Sequence, residues 1–183
     1  MKKTTARSQA KHATKLTLTL GPRIVLSVHT GSGRGTDLDL DNLVVNFQEA
    51  LDEPHTQYHL RDYCGEQFFK NRTKTTSRQL YLATQEGNVD GADAFVVFGA
   101  HVGTLLANLE LLYRPHGIEL NGPLTAYFDA WSHSMGKARK KHLGSRPAHC
   151  VTILNRQGKP LTPTTVQFCK RKTDAIKRRP KKK

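Results

Sequence analysis

Residues 92–113, ADAFVVFGAHVGTLLANLELLY, form the longest nearly uncharged run of the chain, and they constrain the fold more than any other stretch. Phe95, Phe98, Val102, Leu105, Leu106, Leu109, Leu112 and Tyr113 recur at spacings of three and four, the period of one helix face. Val96, Val97 and Ala100 add apolar surface on the other side, so the spacing predicts a helix buried on most of its circumference. Asp90 and Asp93 stand where an N-cap and a first-turn acid belong, and Pro115 with Gly117 closes the far end. A second reading breaks the run at Gly99, giving a strand over Ala94–Phe98 and a shorter helix from about His101, because short apolar runs fit both periods. Gly99-x3-Gly103 reads as a close helix contact in preference to a ligand site.

Around this spine the chain reads as one α+β domain over 16–169, with short antiparallel strands packed on about three helices, between a basic tail at 1–15 and another at 170–183. Leu16–Leu20 alternates Leu and Thr, as a half-buried strand does, and Ile24–His29 is a second strand after the Gly21-Pro22 turn. Pro22 lacks a donor and suggests a sheet edge. After the flexible Gly31–Gly35 loop, Thr36 or Asp37 caps an expected helix with Leu40, Leu43, Val44, Phe47 and Leu51 on its apolar face and Pro54 as its stop. A short broken helix is expected over 56–70, a basic loop over Asn71–Arg78 and a strand over Gln79–Thr84. A second helix runs from Leu124 to about His142, with Pro123 suited to its first turn and Trp131 on its buried face. Cys150–Leu154 and Thr164–Phe168 read as strands around a turn at Asn155–Pro160.

Charge is distributed unevenly. The formal net charge is +14, from 29 Lys and Arg against 15 Asp and Glu. Residues 1–15 hold Lys2, Lys3, Arg7, Lys11 and Lys15 and no acid, while 170–183 hold nine basic residues against Asp174 alone. The tails therefore carry +5 and +8, which leaves +1 for everything between. Clustered cations on flexible arms attract polyphosphate and release its counterions, so a non-enzymatic nucleic-acid-binding protein is the leading expectation, with RNA slightly ahead of DNA. The C-terminal candidates are Lys170, Arg171, Lys172, Lys177, Arg178, Arg179, Lys181, Lys182 and Lys183. His133, Lys137 and Lys140, with Lys141 beside them, add a basic face on the second helix, although cations also favour a helix C-terminus for its dipole alone. Such a protein would suit a viral or mobile element, as a nucleocapsid-like protein or silencing suppressor. A structural subunit of a ribonucleoprotein assembly, or a self-associating one, is a further reading.

The odd number of cysteines, Cys64, Cys150 and Cys169, without a CxxC argues against a disulfide framework and for a reducing, intracellular setting. No apolar segment follows the basic start within 15 residues, so no signal peptide is expected. Asp93, His101, Asn108 and Glu110 within the apolar run disfavour a membrane span. In a eukaryotic or viral setting the C-terminal cluster would read as a nuclear-import signal.

The acidic stretch Asp37-Leu38-Asp39-Leu40-Asp41-Asn42 is the only candidate for metal-assisted chemistry, since closely spaced carboxylates hold Mg2+ and Mg2+ polarises a phosphodiester. Asp39-Leu40-Asp41-Asn42-Leu43 followed by Ala50-Leu51, after a strand and a Gly-rich basic loop, resembles the metal-binding stretch of RusA-type Holliday-junction resolvases. The resemblance covers about a tenth of the chain. It implies a Mg2+-dependent structure-specific endonuclease with Asp39 and Asp41 as metal ligands. Val44 and Val45 stand where that family's catalytic lysine belongs, and Asp62 is the nearest counterpart of its further carboxylate. Helix capping by acids explains the same cluster, so no catalytic residue, metal or other cofactor is assigned in the leading reading. His55-x3-His59 with Cys64 lacks a fourth zinc ligand, and His142, His149, Cys150 and Cys169, which could approach one another, are a weaker pattern still.

Overall fold

The structure, a computed structural model, describes residues 14–31, 33, 35–45, 59–155 and 157–160. Five strands form one sheet in the order β3-β2-β1-β4-β5: β1 Thr14–Thr19, β2 Val25–Thr30, β3 Thr36–Asp39, β4 Gly117–Asn121 and β5 Val151–Ile153. β1, β2 and β3 form an antiparallel meander. β4 runs parallel to β1, with Thr17 opposite Glu119, and β5 runs parallel to β4. The helices are α1 Leu60–Cys64, α2 Glu66–Thr73, α3 Ser77–Gln85, α4 Val89–Tyr113 and α5 Phe128–Leu143, with a 3-10 turn at Pro123–Tyr127 leading into α5. The expected mixture of helices and strands in one domain is therefore what forms, with a sheet that is mixed in direction.

The alternation in β1 decides the layering. Leu16, Leu18 and Leu20 are fully buried, as are Ile118 and Leu120 of β4 and Ile153 of β5, and all belong to one apolar cluster with Phe95, Phe98, Leu106 and Trp131 of the helices. The intervening Thr17, Thr19, Ser27, Glu119 and Thr152 lie on the other face and are only half-buried. Pro22 sits in the hairpin turn, so its missing donor costs no ladder bond and β1 is central, not an edge.

α4 is the single unbroken helix of 25 residues, not a strand and a shorter helix. Its N-cap is Asn88, whose side chain accepts from the Gly91 N–H at 2.7 Å, so Asp90 falls in the first turn and is not the cap. Val96 and Leu112 were expected to be buried but are 50% and 76% exposed. The close packing expected at Gly99 and Gly103 is present. A Cβ on Gly103 would lie 2.3 Å from the Met135 carbonyl oxygen, and one on Gly99 2.3 Å from that of Trp131, so α4 and α5 meet backbone to backbone. Trp131 and Phe98 make an edge-to-face pair beside this crossing.

Three local expectations fail, one of them the basic loop over Asn71–Arg78, since Asn71–Thr73 end α2 and Ser77 and Arg78 begin α3. Gln79–Thr84 lies in helix α3, because Thr76 and Gln79 form a reciprocal capping box and Leu80 is the residue that turns into the core. Thr36–Asp39 pairs with β2 as a strand and does not cap a helix. The rest of that expected helix, Phe47 and Leu51 included, lies outside the described residues, as does the expected strand Thr164–Phe168.

Candidate functional site

The acidic stretch is occupied by the protein itself. Asp39 Oδ1 accepts from the Asp41 N–H at 3.0 Å, its other oxygen pairs with the Arg23 guanidinium, and Asp41 Oδ1 accepts from the Ile24 N–H at 2.6 Å. The backbone donor from Asp41, and then Arg23, hold the Asp39 carboxyl below its usual range. Arg23 Nε also stands 3.7 Å from Asp41. These contacts close the β1–β2 hairpin onto β3. Asp62, the other carboxylate considered, receives the His59 N–H and the Asn71 amide at the start of α1. Among the described residues no group of His, Cys, Asp and Glu is arranged to hold a metal ion.

Five of the basic candidates fall among the described residues. Lys15 pairs with Glu119 across β1 and β4 at 2.7 Å. His133, Lys137, Lys140 and Lys141 are exposed on α5, away from buried Trp131. Lys2, Lys3, Arg7, Lys11 and the C-terminal cations Lys170, Arg171, Lys172, Lys177, Arg178, Arg179, Lys181, Lys182 and Lys183 lie outside the described residues.

A cleft of about 660 Å3 opens instead where α2, α3 and the first turn of α4 meet. Its rim carries one guanidinium, Arg72, two carboxylates, Asp90 and Asp93, two amides, Gln79 and Asn88, and two hydroxyls, Thr73 and Thr75. Leu80 and Ala83 of α3 supply its apolar floor. Local capping fixes the amides: Gln79 Oε1 accepts from the Thr76 N–H and Asn88 Oδ1 from the Gly91 N–H, which leaves both NH2 groups to point their donors elsewhere. Arg72 bonds Asp93 at 2.9 Å and retains further N–H donors, and Thr75 meets Thr73 at 2.9 Å. Asp90 has no hydrogen-bond or ion-pair partner among the described residues. The formal charge of the rim is −1, set against the roughly +0.5 of the α4 N-terminus, so the cleft is close to neutral.

A smaller cavity of about 240 Å3 lies between α1 and α4, bounded by Tyr63, Cys64, His101, Thr104 and Asn108. Burial lowers the pKa of His101 despite its contact with the Tyr63 carbonyl at 3.3 Å, and burial alone pushes the Cys64 thiol up. An inert thiol and a neutral imidazole packed edge-on against Tyr63 and Phe68 describe a core corner, not a nucleophile and its base.

No protein-family model and no curated protein matches the chain. Solved structures do share its fold. A ROK family glucokinase from Streptomyces griseus, in complex with glucose and AMPPNP, superimposes with a TM-score of 0.62 at 16% identity, over 80% of this chain and 58% of that one. A ROK hexokinase from Thermus thermophilus gives 0.63 at 18%, over 78% and 52%. A ROK family transcriptional regulator, homologous to an E. coli protein, gives 0.58 at 9%, over 84% and 43%. The chain thus spans about half the length of the solved structures it resembles. This likeness overturns the resemblance to RusA-type resolvases, whose two proposed metal ligands, Asp39 and Asp41, are instead bonded to Arg23 and to backbone N–H groups, while Ala50 and Leu51 lie outside the described residues. It equally overturns the expectation of a viral, RNA-binding or nuclease domain, since the proteins that share the fold are sugar kinases and a regulator. No membrane is indicated: α4 is long and apolar enough to cross one, but it is the core helix, buried against α5 and the sheet.

The residues of the cleft escaped the sequence reading because each had a local explanation. Asp90 and Asp93 read as helix-start acids, and Arg72 as one cation in a basic loop. Only the fold of α2 and α3 back onto the α4 N-terminus brings them together.

Proposed function

We propose that this chain is a sugar-binding lobe of the sugar-kinase type, and that the cleft between α2, α3 and the start of α4 receives a neutral polyhydroxylated ligand. The observation that carries this reading is the rim chemistry. The planar Arg72 and Asp90 groups match pairs of neighbouring hydroxyls and the Gln79 and Asn88 NH2 groups add donors, while Leu80 and Ala83 offer an apolar floor for the C–H face of a sugar ring. A near-neutral rim favours an uncharged ligand over a phosphate. The shared fold with a glucokinase solved with glucose and AMPPNP supports the ligand class. Phosphoryl transfer is not assigned to these groups, because the match covers only 58% and 52% of the two kinases.

The test is calorimetric titration of the full chain with glucose and with sucrose. Binding that is weaker by tenfold or more in both Asp90→Asn and Arg72→Gln is the expected result, since each removes a charge-assisted hydrogen bond. Absence of heat for either sugar up to about 10 mM, in a range where millimolar affinity is measurable, refutes the reading.

A further inference from the structure

We propose a second ligand site, at the opposite end of α4 and independent of the cleft: a pocket for a small organic phosphate monoester held by Arg114 and Arg146. A cavity of about 470 Å3 lies between the C-terminal ends of α4 and α5, ahead of β4 and β5. Arg114 and Arg146 both border it, both are exposed, and neither guanidinium has a hydrogen-bond or ion-pair partner among the described residues. The cleft lies at the first turn of α4 and Arg114 at its C-cap, so about 35 Å of helix separates the two places.

Three features argue that the two arginines are more than solvated ends of helices. Glu110 also reaches this cavity, and it would neutralise them if it were free. It is not: Arg139 pairs with one of its oxygens, and the His149 N–H donates to the other at 3.0 Å. Arg139 also donates to the His149 carbonyl, so the carboxylate is locked in a buried three-way network. Secondly, the balance of charge remains positive. Two helix C-termini contribute about −0.5 each, against +2 from the guanidiniums, so a monoanion or dianion is attracted. Thirdly, Arg114 occupies a left-handed conformation at φ 46°, closing α4 with its N–H on the Glu110 carbonyl at 3.0 Å. Glycine fills such a C-cap without strain, so an arginine there carries a backbone cost for its side chain. Leu111, Leu143 and Pro147 form the apolar part of the wall, which suits the organic body of an ester more than bare phosphate. The planar guanidinium fork matches phosphate oxygens in pairs.

The experiment is titration of the full chain with phenyl phosphate, followed by calorimetry at moderate salt, with benzoate and inorganic phosphate as parallel probes. Arg114→Gly keeps the left-handed cap and removes the side chain with its guanidinium. Together with Arg146→Gln it is expected to weaken phenyl phosphate binding by at least about tenfold, given the strength of charge-assisted hydrogen bonds. The control is Lys181→Ala, Lys182→Ala and Lys183→Ala combined, which removes more charge from the basic end and is expected to leave binding unchanged. Equal loss in the control means general attraction to a cationic protein and overturns the site. So does unchanged binding in Arg114→Gly with Arg146→Gln. Tighter binding of benzoate than of phenyl phosphate overturns the choice of a phosphate monoester, and equal binding of inorganic phosphate overturns the role of the apolar wall.

Discussion

Replacing Gly103 with alanine tests the crossing on which the fold depends. The new methyl carbon would lie 2.3 Å from the Met135 carbonyl oxygen and 3.0 Å from that residue's carbonyl carbon and Cα. Ordinary contact starts about 1 Å further out, and the obstructing atoms are backbone, so no rotamer change relieves the overlap. α4 and α5 must separate locally, loosening the packing of Phe98, Trp131 and Met135. Overpacking of this kind costs about 1–3 kcal/mol, and a rigid obstacle places it near the upper end. Alanine returns about 1 kcal/mol through its better helix propensity. The balance is a loss of roughly 2 kcal/mol, or a fall of about 4–8 °C in melting temperature for a domain near this size. Thermal denaturation followed by far-UV circular dichroism measures it. A melting temperature that rises, as propensity alone requires, would refute the close approach of the two helices.

Two further perturbations address buried charge. Glu110→Gln leaves Arg139 as an uncompensated buried cation and is expected to cost about 3–5 kcal/mol in chemical denaturation, with Glu110→Met and Arg139→Met together recovering much of that loss. His101 has a folded pKa below its ordinary value, so the unfolded chain binds the extra proton first. Its contribution is fully present above about pH 6.5 and is lost as pH falls through the folded pKa. Stability measured from pH 7.5 downwards should therefore decline less steeply in His101→Gln than in the wild type. Parallel slopes would mean that the imidazole is as well solvated folded as unfolded.

What the sequence disclosed was whatever a single element declares by itself. The three-and-four spacing of Phe95, Phe98, Val102, Leu105 and Leu109 marks α4 without any partner, and the Leu-Thr alternation marks β1. The small pair Gly99 and Gly103 indicated a close neighbour, and α5 is that neighbour. Short segments were read less well because their own preferences are weak. Leu80-Tyr81-Leu82 looks like a strand until Thr76 and Gln79 are seen as a capping box, a signal that was present in the sequence. Asp37 and Asp39 look like helix-start acids, yet both pair with β2 in the sheet and Arg23, sixteen residues from Asp39, draws Asp39 to the hairpin. β4 drew no notice, since GIELN has two apolar positions and its partner lies far away. The cleft was illegible for the same reason: its rim comes from three helices, and no one of them spells a site.

The parallel pairing of β1 with β4 has a consequence for how the chain is made. Thr17 and Glu119 are 102 residues apart, yet they sit side by side in the centre of the sheet. At synthesis rates of about 5–20 residues per second, β1 has emerged for some 5–20 s before its inner partner exists. During that interval the β1–β2–β3 meander can form, but one edge of β1 stays unpaired, and Leu16, Leu18 and Leu20 stay uncovered until α4 has emerged. An apolar strand with an open edge is a template for other chains. The nascent protein therefore passes through its most vulnerable state early, and protection by a chaperone or by slow, dilute expression matters most before Asn121 has left the ribosome.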